Sequence, residues 1–429
     1  METVRKEILP GVWLTALEND KFKTGCLSIS LLTQLDRETA AMNALIPYVL
    51  RRGSRNHTDM QALATELDGL YGSYIEPVVR KIGEIQCIGF LASFADDKYL
   101  PDGSGVFESI ANLCGEILLA PCTKGGLLLP EYVDSEKDKL LDSIKSRLND
   151  KRSWALQRLI EQMCCYEPFA VSRLGTEDTA ENIYYQKLTK HYRSLIMTCP
   201  IEIFYCGSLG ADAVAEKLSD AFSGMPRGEI DYDIGTDIRM NAVEESVREF
   251  TDELSVTQGK LVMGYRLGDC MEDPDIAALY VFNAVFGGCV TSKLFMNVRE
   301  KLSLCYYASS GYHRSKGIIT VSSGIEAQNY EVARREIAAQ LEAVQNGDFE
   351  PWELEGARSC MLSSLRSRED SAGRLEEYYL GQAATGLWED TDALLAQLEA
   401  VTPERVAEAA RSIRLDTVYF LTGKEGAAQ

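Results

Sequence analysis

The feature that most constrains this chain is an order of strand and helix patterns that occurs twice. In the first half, a strand pattern near residues 12–17 precedes CLSISLLTQ, which alternates as a half-buried strand does. Helical spacing follows in AAMNALIPYVLRRG and again in HTDMQALATELDGLYG, where Thr58 or Asp59 is placed to cap. Two strand-like runs (74–79 and 84–94), helical stretches from Pro130 and over 182–196, the strand IEIFYCG and the helix ADAVAEKLSDAF complete that half. The second half runs in the same order through KLVMGYRLG, DPDIAALYVFNAVFGG, TSKLFMNVREKL, LCYYASSGY, GIITVSSGI, long helices and TVYFLTG. Three anchors align between the halves: LIPYVLRRGS with NAVFGGCVTS, LDGLYGSY with LSLCYYAS, and IFYCGSL with VYFLTGK. Shared order with little shared identity is the mark of an internal duplication.

A chain of 429 residues is also longer than a single core usually supports. Residues 226–244 lack any sustained period and are rich in Gly, Pro and Asp, as linkers are. The expected domains are therefore 1–225 and 245–429. Each is expected to be α+β, an antiparallel-rich sheet with helices on one face, the two facing each other across a cavity.

Charge and composition narrow the function. With 65 acidic and 44 basic residues the formal charge is −21, which repels phosphate backbones and anionic headgroups, so neither nucleic acid nor membrane is an expected partner. No apolar run reaches the length of a signal peptide core or a membrane helix, and a cytoplasmic protein is the simple expectation. The twelve cysteines contain no CxxC and form no disulfide or zinc-knuckle pattern; Cys87 and Cys206 sit in apolar strand runs as small hydrophobes. Only three histidines exist, His57, His191 and His313, none at metal-ligand spacing, and each is read as exposed or locally bonded. No G-x-S-x-G elbow or Cys-His pairing supports an independent nucleophilic hydrolase.

The stretch QGKLVMGYRLGDC, DIAALYVFNAVFGG, TSKLFMNVREKLSLCYYASSGY, together with YEPFAVSRLGTEDTAENI and IEIFYCGSL, resembles the insulinase, pitrilysin and mitochondrial-processing-peptidase family over nearly the whole chain. Active members carry H-x-x-E-H in the first domain, nine residues before a glycine followed by Ser or Thr. Counted back from Gly53 of RRGS, the histidines fall on Ala44 and Tyr48 and the glutamate on Pro47. None can bind Zn²⁺ as imidazole does or take a proton as the carboxylate does. The family's third ligand, a downstream glutamate, corresponds to Glu136, read here as an orphan and an ordinary solvated helix residue. The strand that pairs with peptide in the family reads SYIEPVVRK, where Pro77 has no N–H to offer an added strand.

The second half keeps more. Arg299 and Tyr306 stand seven apart in NVREKLSLCYYAS, with Ser303 where a glycine is common. On spacing alone an Arg on a solvated helix face and a Tyr on a half-buried strand is the simpler reading. The resemblance implies instead that the pair binds substrate in trans, the Arg holding a carbonyl and the Tyr a developing oxyanion. It implies a zinc-lacking member of a bacterial two-gene pair: a non-catalytic subunit, without metal of its own, in a heterodimer whose partner carries H-x-x-E-H and zinc. The rival is an inactive structural or peptide-binding protein that dimerises with itself.

Overall fold

The computed structural model describes residues 2–101, 103–268 and 275–423; Cys270 lies outside them. The first strands are β1 (Glu2–Leu9), β2 (Val12–Glu18) and β3 (Thr24–Gln34), followed by the helices α1 (Ala40–Leu50) and α2 (Met60–Gly69). Then come β4 (Tyr74–Ile82), β5 (Ile85–Ala95), α3 (Val106–Leu119) and a short hairpin of β6 (Thr123–Lys124) and β7 (Leu127–Leu128). Helices α4 (Pro130–Ser146), α5 (Lys151–Met163), α6 (Glu177–Glu181) and α7 (Tyr185–Thr198) lead to β8 (Ile201–Gly207) and α8 (Ala211–Ala221). The rest comprises β9 (Arg248–Leu254), β10 (Gly259–Arg266), α9 (Ile276–Asn283), β11 (Cys305–His313), β12 (Ile318–Ile325), α10 (Tyr330–Gln345) and α11 (Pro351–Arg368). It ends with α12 (Ala372–Thr385), α13 (Thr391–Glu399), α14 (Pro403–Arg411) and β13 (Arg414–Gly423).

Two sheets carry the duplication. The first has the order β1-β2-β8-β3-β5-β4, and only β2 and β8 run parallel; the second has the order β11-β12-β10-β13-β9, and only β9 and β13 run parallel. Read as β2-β8-β3-β5-β4 and β9-β13-β10-β12-β11, the two agree strand for strand, including the place of the parallel pair. The chain is thus α+β, as its sequence indicates. Two edge strands escaped the pattern. β1, with Arg5, Lys6 and Glu7 in a row, and β9 (REFTDEL), with Arg248, Glu249, Asp252 and Glu253, are rich in charge and show mostly part-exposed side chains, as edges that discourage further pairing do.

The compact units are not the two continuous halves. One unit gathers Met1–Lys145, Val171–Thr236 and Glu369–Trp388; the other gathers Ser146–Ala170, Asp237–Arg368 and Glu389–Gln429. The boundaries 1–225 and 245–429 are corrected accordingly: residues 146–170 and 369–388 each belong to the unit built mainly from the other half.

The same finding corrects the expectation of helices on one face. In the first unit Leu27, Ile29 and Leu31 of β3 point into the main core with residues of α1, α3 and α7 such as Leu45, Ile110 and Leu188. The alternate residues face the other way. There Leu17, Cys26, Phe204 and Cys206 pack with Leu375, and Leu32, Ile85 and Cys87 with Leu380, both from α12. Ser28 and Ser30, which look like a solvent-facing set in the sequence, are each 1% exposed beneath that helix. In the second unit α5 plays this part: Ala155 and Leu159 pack with Val262, Tyr419 and Leu421, and Met163 with Ile318. Gly264 of β10 makes room, since a Cβ there would lie 2.5 Å from Met163 Sδ.

Buried charge fastens both. Arg80 of β4 donates two bonds to Glu376 of α12 at 2.7 and 2.6 Å, and Glu376 is fully buried. After α5, the Glu167 carboxylate meets Arg266 of β10 and Lys316 at 2.5 Å each, while Arg266 also reaches Asp416 at 2.8 Å. All four side chains are at most 1% exposed. Burial raises the Glu167 and Asp416 carboxyls, but the bonds they receive, from Arg266 and Lys316 at Glu167 and from Thr417, Arg248 and Arg266 at Asp416, outweigh it and hold both below the usual range.

Candidate functional site

Within α1, Ala44 is fully buried, Pro47 is buried inside the helix, and Tyr48 is 39% exposed. The helix survives the proline because the Arg51 N–H reaches the Pro47 carbonyl at 3.0 Å, so only the turn before it loses a bond. A methyl and a pyrrolidine carry no donor atom for a metal, and a neutral phenol is a poor one.

Glu136 of α4 is not the solvated residue expected. It is 5% exposed, and Oε1 accepts from Arg52 Nη1 at 3.1 Å and from Lys139 Nζ at 2.7 Å. The Arg52 guanidinium, one turn beyond Tyr48, also lies 4.9 Å from the Tyr132 ring centroid. A buried carboxylate must be neutralised, and without a metal the pairing falls to two cations. The ligand set therefore does not fit zinc. Among the described residues no three His, Cys, Asp or Glu side chains converge as a metal site.

Behind α1 lies a polar network the sequence reading missed. Gln86 Nε2 donates to the carbonyls of Ala40 at 3.0 Å and Arg173 at 2.6 Å, which leaves its Oε1 to accept from Asn43 Nδ2 at 2.9 Å. Asn43 Oδ1 is then the acceptor for His191 Nε2, 2.6 Å away, which fixes the Nε2–H tautomer. Burial, with help from Lys187, lowers the His191 pKa, so the ring is held neutral. The partner of His191 is thus remote in sequence, and no spacing signals it.

β4 forms one edge of the first sheet, with Pro77 on it opposite Phe90. A proline belongs on an edge strand, and it withholds one donor from any added strand.

In the second unit, residues Ala284–Gly288 and Leu294–Lys301 are wound as π-helix, a rare form that gathers at functional sites. The Leu302 N–H reaches back five residues to the Asn297 carbonyl at 3.1 Å. The glycine at 287 has a reason: a Cβ there would lie 2.7 Å from both the Ser310 N of β11 and Leu294 Cδ1. Ser303 adopts φ +50°, the left-handed backbone glycine takes freely.

That turn delivers Tyr306 onto β11, where pairing skips from Cys305↔Ile325 to Tyr307↔Gly324. Tyr306 is the bulged residue and is 66% exposed. Arg299 is 40% exposed, lies 3.5 Å from Glu300 and stacks over Phe295 at 4.6 Å. Burial raises the Cys305 thiol, and Ser323 and the Arg299 charge partly offset it, so Arg299 acts on the residue beside Tyr306. Among the described residues no hydrogen bond joins the two side chains. Arg299 lies on the helical segment Leu294–Lys301 that leads directly into β11, which carries Tyr306.

Residues 182–361 match the family profile described as Peptidase M16 inactive domain. Over 420 residues, covering 97% of each chain, the sequence is 35% identical to a Bacillus subtilis protein named as a probable inactive metalloprotease, YmfF. It is 26% identical over 246 residues, 56% of this chain and 58% of the other, to YmxG of the same organism, named as an uncharacterized zinc protease. Among solved structures it is similar to a conserved protein from Enterococcus faecalis V583, with TM-score 0.88 and 27% identity, covering 98% of this chain and 99% of that one.

Proposed function

Because the chain belongs to the peptidase M16 (insulinase) family, alongside its inactive metalloprotease homologues, we propose that it is the non-catalytic subunit of a heterodimeric zinc peptidase. One contrast carries the reading. At the positions of the family's zinc motif the chain has refilled every place, with Ala44, Pro47 and Tyr48 on α1 and cations on Glu136. In the second unit, by contrast, Tyr306 stands exposed on a bulge, and the Arg299 side chain, on the helix that leads into that strand, stays 40% exposed. A fork of donors and a hydroxyl suit a substrate carbonyl and the oxyanion that forms from it. The partner is a homologue with an intact H-x-x-E-H that brings the zinc. The similarity of this chain to both an inactive metalloprotease and a zinc protease of one organism supports such pairing.

The test is to co-purify the protein with a zinc-motif homologue from its host and follow cleavage of an unstructured fluorogenic peptide. Tyr306→Phe or Arg299→Ala should lower turnover by roughly 100- to 1,000-fold while the complex, checked by size-exclusion chromatography, still forms. Unchanged turnover in both variants would overturn the role of the pair, and stable self-association without any such partner would replace heterodimer with scaffold.

A further inference from the structure

A cavity of about 350 Å³ opens on the first unit between the β6–β7 hairpin and α7. Its lining is apolar at Leu119, Leu128 and Ile196, and it includes two arginines, Arg55 and Arg193, and no acidic residue. Two other polar groups of the lining, Tyr192 and Thr189, are already bonded. Tyr192 donates to the Leu118 carbonyl at 2.6 Å, and Thr189 Oγ1 accepts from the Leu128 N–H at 3.0 Å and donates to the Tyr185 carbonyl at 2.6 Å. The guanidiniums are not used up in this way. Arg193 gives one bond to the Gly126 carbonyl, and among the described residues neither guanidinium pairs with a carboxylate. In a chain with 65 acidic residues, two arginines left without an acidic partner over one apolar hollow form a local reversal of the surface charge.

We propose that this cavity binds a carboxylate carried directly on an apolar group. Its size suits a ligand of a few heavy atoms at most beyond one side chain. Arginine forks recognise a carboxylate through paired N–H donors, and the adjoining hydrocarbon would cover Leu119, Leu128 and Ile196. Two sources share this chemistry: the C-terminal residue of a peptide ending in a hydrophobic side chain, and a free medium-chain acid. A phosphate alone would satisfy the arginines but leave the apolar lining wet.

The experiment uses the full-length protein and isothermal titration with acetyl-Ala-Ala-Leu, the same tripeptide as its C-terminal amide, octanoate, and inorganic phosphate. Binding of the tripeptide acid at least 10-fold tighter than of its amide, lost by 10-fold or more in Arg55→Gln/Arg193→Gln, is the expected result. Both arginines are exposed, so the double variant keeps the fold, which circular dichroism verifies. Tighter binding of octanoate than of the tripeptide identifies the free acid as the source, and the reverse identifies the peptide end. Equal binding of acid and amide, binding of phosphate as tight as of either acid, or no binding of any probe would overturn the proposal.

Discussion

Arg52 does for Glu136 what a divalent ion does for a ligating carboxylate: it supplies positive charge where burial forbids a bare anion. The adjacent residue chemistry is equally specific at His191. Its folded pKa is depressed below the ordinary histidine value, so it binds fewer protons folded than unfolded across that interval. Stability from keeping it neutral is fully present above about pH 6.5, the unfolded value, and is lost as pH falls toward the folded one. His191→Gln keeps a donor for Asn43 Oδ1 without the titration. Thermal denaturation should therefore show the unsubstituted protein losing more stability between pH 7 and pH 5 than the variant, and parallel curves would remove His191 as the cause. The loss of zinc binding was legible from Ala44, Pro47 and Tyr48, because those side chains lack the atoms. The fate of Glu136 was not, because it depends on Arg52 and Lys139 reaching it in space.

At the level of elements, the order of strands and helices along the chain could be read because apolar runs mark β3, β8, β10 and β12, and the repetition of that order marks the duplication. What could not be read is which helix covers which sheet. A helix's apolar stripe states that it is covered and leaves open by what. Arg266, the charge that closes the run LVMGYR of β10, was the one local sign of the buried ion cluster, and its partners Glu167 and Asp416 lie 99 and 150 residues away. Glu167→Gln leaves Arg266 and Lys316 buried with less countercharge and should cost about 3–5 kcal/mol at pH 7. Since the Glu167 pKa is lowered on folding, its contribution is complete above the ordinary carboxylate value and disappears as pH falls through the folded one. Urea titrations should thus find the gap between variant and parent widest near neutrality and closing below about pH 4. A gap independent of pH would mean that packing, rather than charge, holds this junction.

For the whole molecule, residues 146–170 and 369–388 make each unit depend on the other half's chain. Neither 1–236 nor 237–429 contains all of one unit. Expressed separately, each should lack cooperative unfolding and bind a hydrophobic dye, since α12 or α5 is missing from a sheet face that carries Phe204 and Cys206 or Val262 and Tyr419. Co-expressed, the two should recover a soluble complex with a cooperative transition. A fragment 1–236 that unfolds cooperatively alone would show that α12 is dispensable.

The borrowed helix also sets a schedule. β8, the last strand of the first sheet, is complete at Gly207, but α12 begins only at Ala372. At translation speeds of roughly 5–20 residues per second, the face awaiting that helix stays uncovered for roughly 8–30 s on the ribosome. During that interval Leu17, Cys26, Phe204 and Leu91 form a greasy surface on a nascent chain, open to trigger-factor-like holdases and to premature association with neighbours on the same message. The gene's length ahead of α12 is therefore itself a determinant of how much of this protein reaches its folded form.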